Sequence, residues 1–221
     1  MMKYRGNKKG FTLVEIIVVL VILAILAAIA VPSVLGYVQE AKDSRILADL
    51  RESMIAAQVT FVKSTTFEEA AGTNVKRDNF MTDDQMEDLQ RYLHLENKPY
   101  VLFYGAGDKE KYGNGAPETC KVYCIIFQET KDSKPWYYDG KQWSHRYLWT
   151  NDVNNANPGK DNSRPMYTQT ENGRDKNYMN GIKDSNGEDV RVSMYYGYCY
   201  GKNARDGYKE DIWNQLKKVS D

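Results

Sequence analysis

Glu15 has the most unusual setting of any residue able to do chemistry. It stands in the stretch FTLVEIIVVLVIL, and residues 16–31 are apolar without a break. A lone carboxylate at bilayer depth is costly, and such groups usually face a partner. No basic residue lies between Phe11 and Leu35, so the partner comes from elsewhere or the group is neutral. A cut between Gly10 and Phe11 would create a partner, because the freed α-amine of Phe11 is a positive charge at the same depth. Within one helix the two groups sit about a turn apart. The better geometry pairs the amine with Glu15 of an axially shifted neighbour, which would set a register between subunits.

The other reactive groups form weaker patterns. The chain has three cysteines, Cys120, Cys124 and Cys199, all beyond the apolar run. On a regular strand Cys120 and Cys124 would lie about 13 Å apart, whereas a disulfide needs Cα atoms within about 7 Å. Either is therefore a better disulfide candidate with Cys199 than with the other. Cys124 is favoured because it sits in the stronger strand, and a fully reduced state stays open. No C-x-x-C pair supports a zinc or redox motif. The two histidines, His94 and His145, adjoin no nucleophile pattern such as G-x-S-x-G, so no catalytic residue is assigned and the chain is not expected to be an enzyme. The segment Asp184-Ser-Asn186-Gly187-Glu188-Asp189 is faintly like a calcium loop but lacks EF-hand spacing. A polar turn is the plainer reading, with Asp152 and Asp161 as further weak candidates. No cofactor or metal is expected, calcium being the one alternative. The Gly-rich residues 105–118 lack G-x-x-x-x-G-K-[ST], so a phosphate loop has no support. Trp136, Tyr137, Tyr138, Trp143, Tyr147 and Trp149 crowd one stretch. They suit strand positions divided between core and interface better than a ligand platform.

Charge and hydropathy place these groups. Lysine plus arginine equals aspartate plus glutamate, 30 each in 221 residues, which argues against nucleic acid as a primary partner. Lys3, Arg5, Lys8 and Lys9 precede the apolar run and no acid accompanies them, so they mark the cytoplasmic side of an anchor. Mean hydropathy is −0.66 despite the apolar run, so the rest is very polar, as suits an exported head. From Phe11 to Leu35 the run is too long for a signal-peptide core of ~7–15 residues. About 25 helical residues span the ~30 Å hydrocarbon layer.

KKGFTLVEIIVVLVILAILAAIAVPSVL resembles the class III signal of type IV prepilins and pseudopilins. The resemblance rests on Gly10, Phe11, Thr12, Leu13 and Glu15, followed by the apolar helix and Pro32. It implies a leader, residues 1–10, cut after Gly10 by a prepilin peptidase. It also implies N-methylation of Phe11 and pairing of that amine with Glu15 of a neighbour. The short leader and Phe11 are similar to the type IVa branch. Residues 11–35 become a transmembrane and filament-core helix, and residues 36–221 an extracellular head. The implied partners are other pilin subunits and the pilus assembly machinery in the membrane. The precursor would be single-pass in the bacterial membrane with its N-terminus cytoplasmic, and the assembled subunit would lie in an extracellular pilus. The family also implies bending of the stalk at Pro32, where a helix break at the membrane surface is the alternative. It has a habit of bridging cysteines near the C-terminus, and its major pseudopilins carry calcium in a C-terminal loop.

The expected fold is α+β: a long N-terminal helix, about 11–63, packed on a mainly antiparallel sheet with long loops and a short C-terminal helix. In residues 37–63, Leu47, Leu50, Met54, Ala57 and Phe61 form one buried stripe, with Ile55, Val59 and Val62 as a second edge. Thr82-Asp-Asp-Gln85 is a capping-box pattern opening a helix near 83–93. Strands are expected at 100–104, closed by Gly105-Ala-Gly107, at 121–128 as the central strand, and at 189–200. Asp139-Gly140 marks a hairpin. Residues 64–80 are expected to be irregular, and residues 150–188 read as a long polar excursion. Residues 208–219 read as a terminal helix with Ile212, Leu216 and Val219 on one face.

Overall fold

The computed structural model describes residues 10–63, 80–93, 95, 97–113, 116–150, 165–207 and 211–220. Residues 1–9 of the expected leader, residues 64–79, expected to be irregular, and residues 151–164 of the expected polar excursion lie outside the described residues. The chain divides into two units, Met1–Ala48 and Asp49–Asp221, and helix α1 (Leu13–Lys63) contributes residues to both.

In the first unit, α1 is unbroken through Pro32 and Gly36. Pro32 has no N–H to donate to the Ala28 carbonyl, yet no helix break falls there. The apolar side chains from Phe11 to Val38 that are described are exposed. This is the one helix among the described residues long and apolar enough to cross a membrane. In lipid, a helix satisfies its backbone within the segment, so a Val- and Ile-rich run holds helical form there despite its stiff side chains.

The second unit is built on one sheet. After α1 come α2 (Asp83–Tyr92), β1 (Val101–Gly107), α3 (Lys109–Tyr112), β2 (Val122–Gln128), β3 (Trp136–Tyr138), β4 (Trp143–Ser144) and β5 (Trp149–Thr150). Next are β6 (Met166–Glu171), β7 (Arg174–Lys183), β8 (Asp189–Cys199), β9 (Lys202–Asn203), α4 (Ala204–Gly207) and α5 (Ile212–Ser220). The order across the sheet is β4-β3-β2-β1-β8-β7-β6-β5, with β9 on β8. Every pairing is antiparallel except β5 with β6. The expected α+β arrangement of long helix, mainly antiparallel sheet and short C-terminal helix is therefore present.

Both sheet faces are covered, which explains why β1 and β2 are buried at every position. On one face Val101, Phe103, Cys124 and Ile126 join Ile212 and Leu216 of α5 in a single core. Trp213 of α5 meets Phe103 at 5.3 Å and Trp149 at 4.7 Å. On the other face Phe61 of α1 lies edge-on to Tyr104 and Tyr195, at 6.1 and 5.3 Å. Gln58 ties α1 to the start of β2, donating to the Cys120 carbonyl and accepting from the Val122 amide.

The buried stripe of α1 differs in part from expectation. Leu50, Ala57 and Phe61 are buried as expected. Leu47 is 43% exposed and Met54 half-buried. Ile55 and Val62 are exposed, whereas Ser53, Ala56 and Thr60 are fully buried. Small residues let the helix approach the sheet closely, and the two hydroxyls bond back to Asp49 and Ala56 carbonyls, so their burial leaves no orphan donor.

The Thr82–Gln85 capping box forms in both directions. Gly140 at φ +87° turns the β3–β4 hairpin. β1 runs on through Gly105 rather than ending there, because a Cβ at Gly105 would stand 2.2 Å from the Cys124 Sγ across the pair. β2 is interior to the sheet, and β1 and β8 are nearer its middle. The reading of residues 150–188 as an excursion is corrected: β6 and β7 extend the same sheet through a turn at Asn172-Gly173. Both turn residues have positive φ, 52° and 73°, the requirement of a type I′ hairpin.

Candidate functional site

The N-terminus of α1 is built by Thr12 and Glu15. The Thr12 backbone N–H and Oγ1 both donate to Glu15 Oε2 at 2.8 Å, and the Glu15 N–H donates to Thr12 Oγ1 at 3.3 Å. This T-x-x-E arrangement is a reciprocal capping box, which satisfies two amides the first helical turn leaves unpaired. The positive end of the helix dipole also favours a carboxylate in the first turn. Glu15 therefore has hydrogen-bond donors in its own chain, supplied by the neutral Thr12 and not by a cation. Gly10 and Phe11 precede the cap and are exposed, which suits access to the peptide bond between them.

The head holds a second polar cluster. Arg191 on β8 is buried, and its guanidinium donates to Asp108 at 2.7 Å, Glu110 at 2.6 Å and Glu171 at 3.2 Å. Lys176 also bonds Glu110. The cluster links the start of α3 to β6, β7 and β8. Beside it, Asp184 in the β7–β8 turn caps that turn by accepting from the Asn186 and Glu188 amides. Its other oxygen accepts from Lys111 Nζ at 3.1 Å and Tyr112 Oη at 2.9 Å. Burial alone would raise the Asp184 pKa, but these donors bring it down to about 2. Glu188 also accepts from Lys111. An ammonium thus sits between two of the three acids of the calcium-like loop, Asp184 and Glu188, while Asp189 pairs with Lys183. No group of three or more metal-ligating side chains occurs among the described residues, and Asp152 and Asp161 lie outside them.

The favoured cysteine pairing is corrected. No disulfide joins Cys120, Cys124 and Cys199. Cys124 lies opposite Gly105 and Cys199 opposite Val101, on the two strands flanking β1. Two strand spacings and four residues of offset separate them by about 16 Å, far beyond disulfide reach. Burial raises the Cys124 thiol pKa above the ordinary thiol range. Cys120 is half-buried in a turn before β2.

His145 Nδ1 donates to the Pro135 carbonyl at 2.8 Å and the ring packs on Trp136, which gives it a packing role. His94 lies outside the described residues. Of the aromatic stretch, Tyr137, Tyr147 and Trp149 are buried, while Trp136, Tyr138 and Trp143 are half-buried, matching the expected division.

Comparison with known proteins bears on the N-terminus. Residues 5–31 match the family model of the prokaryotic N-terminal methylation motif. No curated protein and no solved structure matches the chain. The matched stretch holds Gly10, Phe11, Thr12 and Glu15, and it is the class III signal of type IV pilins and pseudopilins. The motif, the exposed apolar helix and the α+β head together support a membrane-anchored precursor of pilin or pseudopilin kind, a structural protein.

Proposed function

We propose that the chain is a structural subunit, major or minor, of a type IV pilus. Hydrolysis of the Gly10–Phe11 bond by a prepilin peptidase adds water, leaving a carboxylate on the leader and an amine on Phe11. N-methylation keeps that amine basic. Lys3, Arg5, Lys8 and Lys9 hold the N-terminal side in the cytoplasm until the leader is removed.

The observation that carries this reading is the pairing of a capped carboxylate, Glu15, with a matched methylation motif at the start of a helix whose described apolar side chains from Phe11 to Val38 are exposed. Such a surface needs lipid or like helices around it. The membrane holds the subunit first, and the assembly machinery then transfers it onto neighbouring helices. Pro32 marks where the stalk bends in the polymer. In the β7–β8 turn Lys111 supplies the positive charge that a calcium ion would bring there.

Electron microscopy of producing cells with an antibody to the head tests this. Long surface filaments decorated along their length, and lost on deletion of the gene, are expected. Subunits confined to the envelope, with protein secretion lost instead, would make the chain a pseudopilin. Label at filament tips, with binding to glycans, would make it a tip adhesin.

A further inference from the structure

Glu15 offers two carboxylate oxygens, and Thr12 uses only one of them. Both donors of Thr12, its amide and its hydroxyl, converge on Oε2. Oε1 accepts nothing among the described residues. The χ angles of a free glutamate in the first helical turn would be open, and ordering such a side chain on binding carries an entropic cost. Here two hydrogen bonds from Thr12 hold the carboxylate at the very start of the helix, and the Glu15 N–H closes the box on the Thr12 hydroxyl.

We infer that Thr12 is a positioning residue for assembly: it holds Glu15 by Oε2 and leaves Oε1 turned out for the methylated Phe11 amine of a neighbouring subunit. The inference rests on the pairing reading above. It assigns Thr12 a role that depends on its hydroxyl, because the backbone N–H stays with any residue at position 12. It also separates two stages. In the membrane, the Thr12 donors stabilise the carboxylate while no amine has yet docked. In the filament, the same donors remain and the second oxygen takes the incoming charge, so no bond must be broken for the pair to form.

The test uses the full chain in cells that supply the peptidase and the methyl transfer, with Thr12→Val, Thr12→Ser and Glu15→Ala compared with the parent. The expected result for Thr12→Val is normal cleavage and a normal membrane pool, with filament yield down about tenfold, as for losing one hydrogen bond to a charged group. Thr12→Ser restores most of the yield. Wild-type filaments from Thr12→Val, while Glu15→Ala blocks assembly, overturn the role of Thr12 and leave the pairing standing. Wild-type filaments from Glu15→Ala overturn the pairing itself. A fall in the membrane pool of Thr12→Val that accounts for the fall in filaments assigns the hydroxyl to helix stability and overturns the inference. Failure of Thr12→Ser to rescue does the same.

Discussion

Glu15→Ala is expected to yield a subunit that reaches the membrane and loses its leader but polymerises poorly. The proposed cut depends on Gly10, Phe11 and access to the bond between them, and all three are unchanged in the variant. The apolar helix is also unchanged, and removing a carboxylate makes its insertion easier. On the proposed pairing, what disappears is the acceptor for the neighbour's Phe11 amine. That amine would then be carried into a helical core without a counter-charge. Removing one member of a desolvated charge pair is costly largely because the other is left buried and unpaired. The penalty recurs at every subunit added, so filament yield should fall by roughly an order of magnitude or more. Immunoblots of sheared filaments and of membranes, side by side, measure it. Undiminished filaments would show that the pair does not drive assembly.

The second large effect belongs to the head. Arg191 is 9% exposed and Asp108 10% exposed, and their side chains meet at 2.7 Å. The same guanidinium reaches Glu110 and Glu171 with its remaining nitrogens. Arg191→Ala would leave a buried carboxylate facing two other acids, and the remaining cations beside them, Lys176 and Arg174, both pair with the exposed Glu110 and not with Asp108. Breaking a buried pair in this way costs about 3–5 kcal/mol. For a domain of this size that lowers Tm by ~6–20 °C. Arg191→Lys should recover only part of the loss, because one ammonium cannot serve three carboxylates as the planar fork does. Thermal unfolding of the full chain in detergent, followed by circular dichroism, reads the effect. An unchanged Tm for Arg191→Ala would mean that the cluster is a solvated surface network.

The parts of this molecule that could be read from its residues are those whose cause is local. Gly10, Phe11 and Glu15 stand in one short motif. Thr82 and Gln85 make a cap within three residues, and Asp139-Gly140 makes a turn within two. Asn172-Gly173 is an equally local hairpin signal. It is masked by the polar residues around it, because β6 and β7 lie towards the sheet edge and keep many side chains half-exposed. The Thr12–Glu15 box has the spacing of the box at Thr82. Charge alone points there to a missing cation, while the T-x-x-E spacing points to the hydroxyl.

The remainder depends on contacts distant in sequence. Arg191 meets Asp108 and Glu110 across more than 80 residues, and nothing in the run DVRVSM names those partners. Alternation along β8 is also broken at Gly197, where the register with β1 shifts, so that Tyr196 opposes Phe103 and Tyr198 opposes Leu102. The cysteine pairing failed for a related reason. Strand order decides which cysteines are neighbours, and β1 intervenes between Cys124 and Cys199. Likewise, Ile55 and Val62 match a helical stripe by spacing, but the close approach of α1 to the sheet selects Ser53, Ala56 and Thr60 instead.

The central claim is that Glu15 waits for an amine created by a cut after Gly10. Intact-mass analysis of the protein, purified from a host that carries a prepilin peptidase and compared with one that lacks it, tests that claim most directly. The mature chain is expected to begin at Phe11 and to carry one added methyl group, while the peptidase-deficient host yields the uncut chain. A chain that keeps Gly10 in both hosts, or that is cut elsewhere, would contradict it.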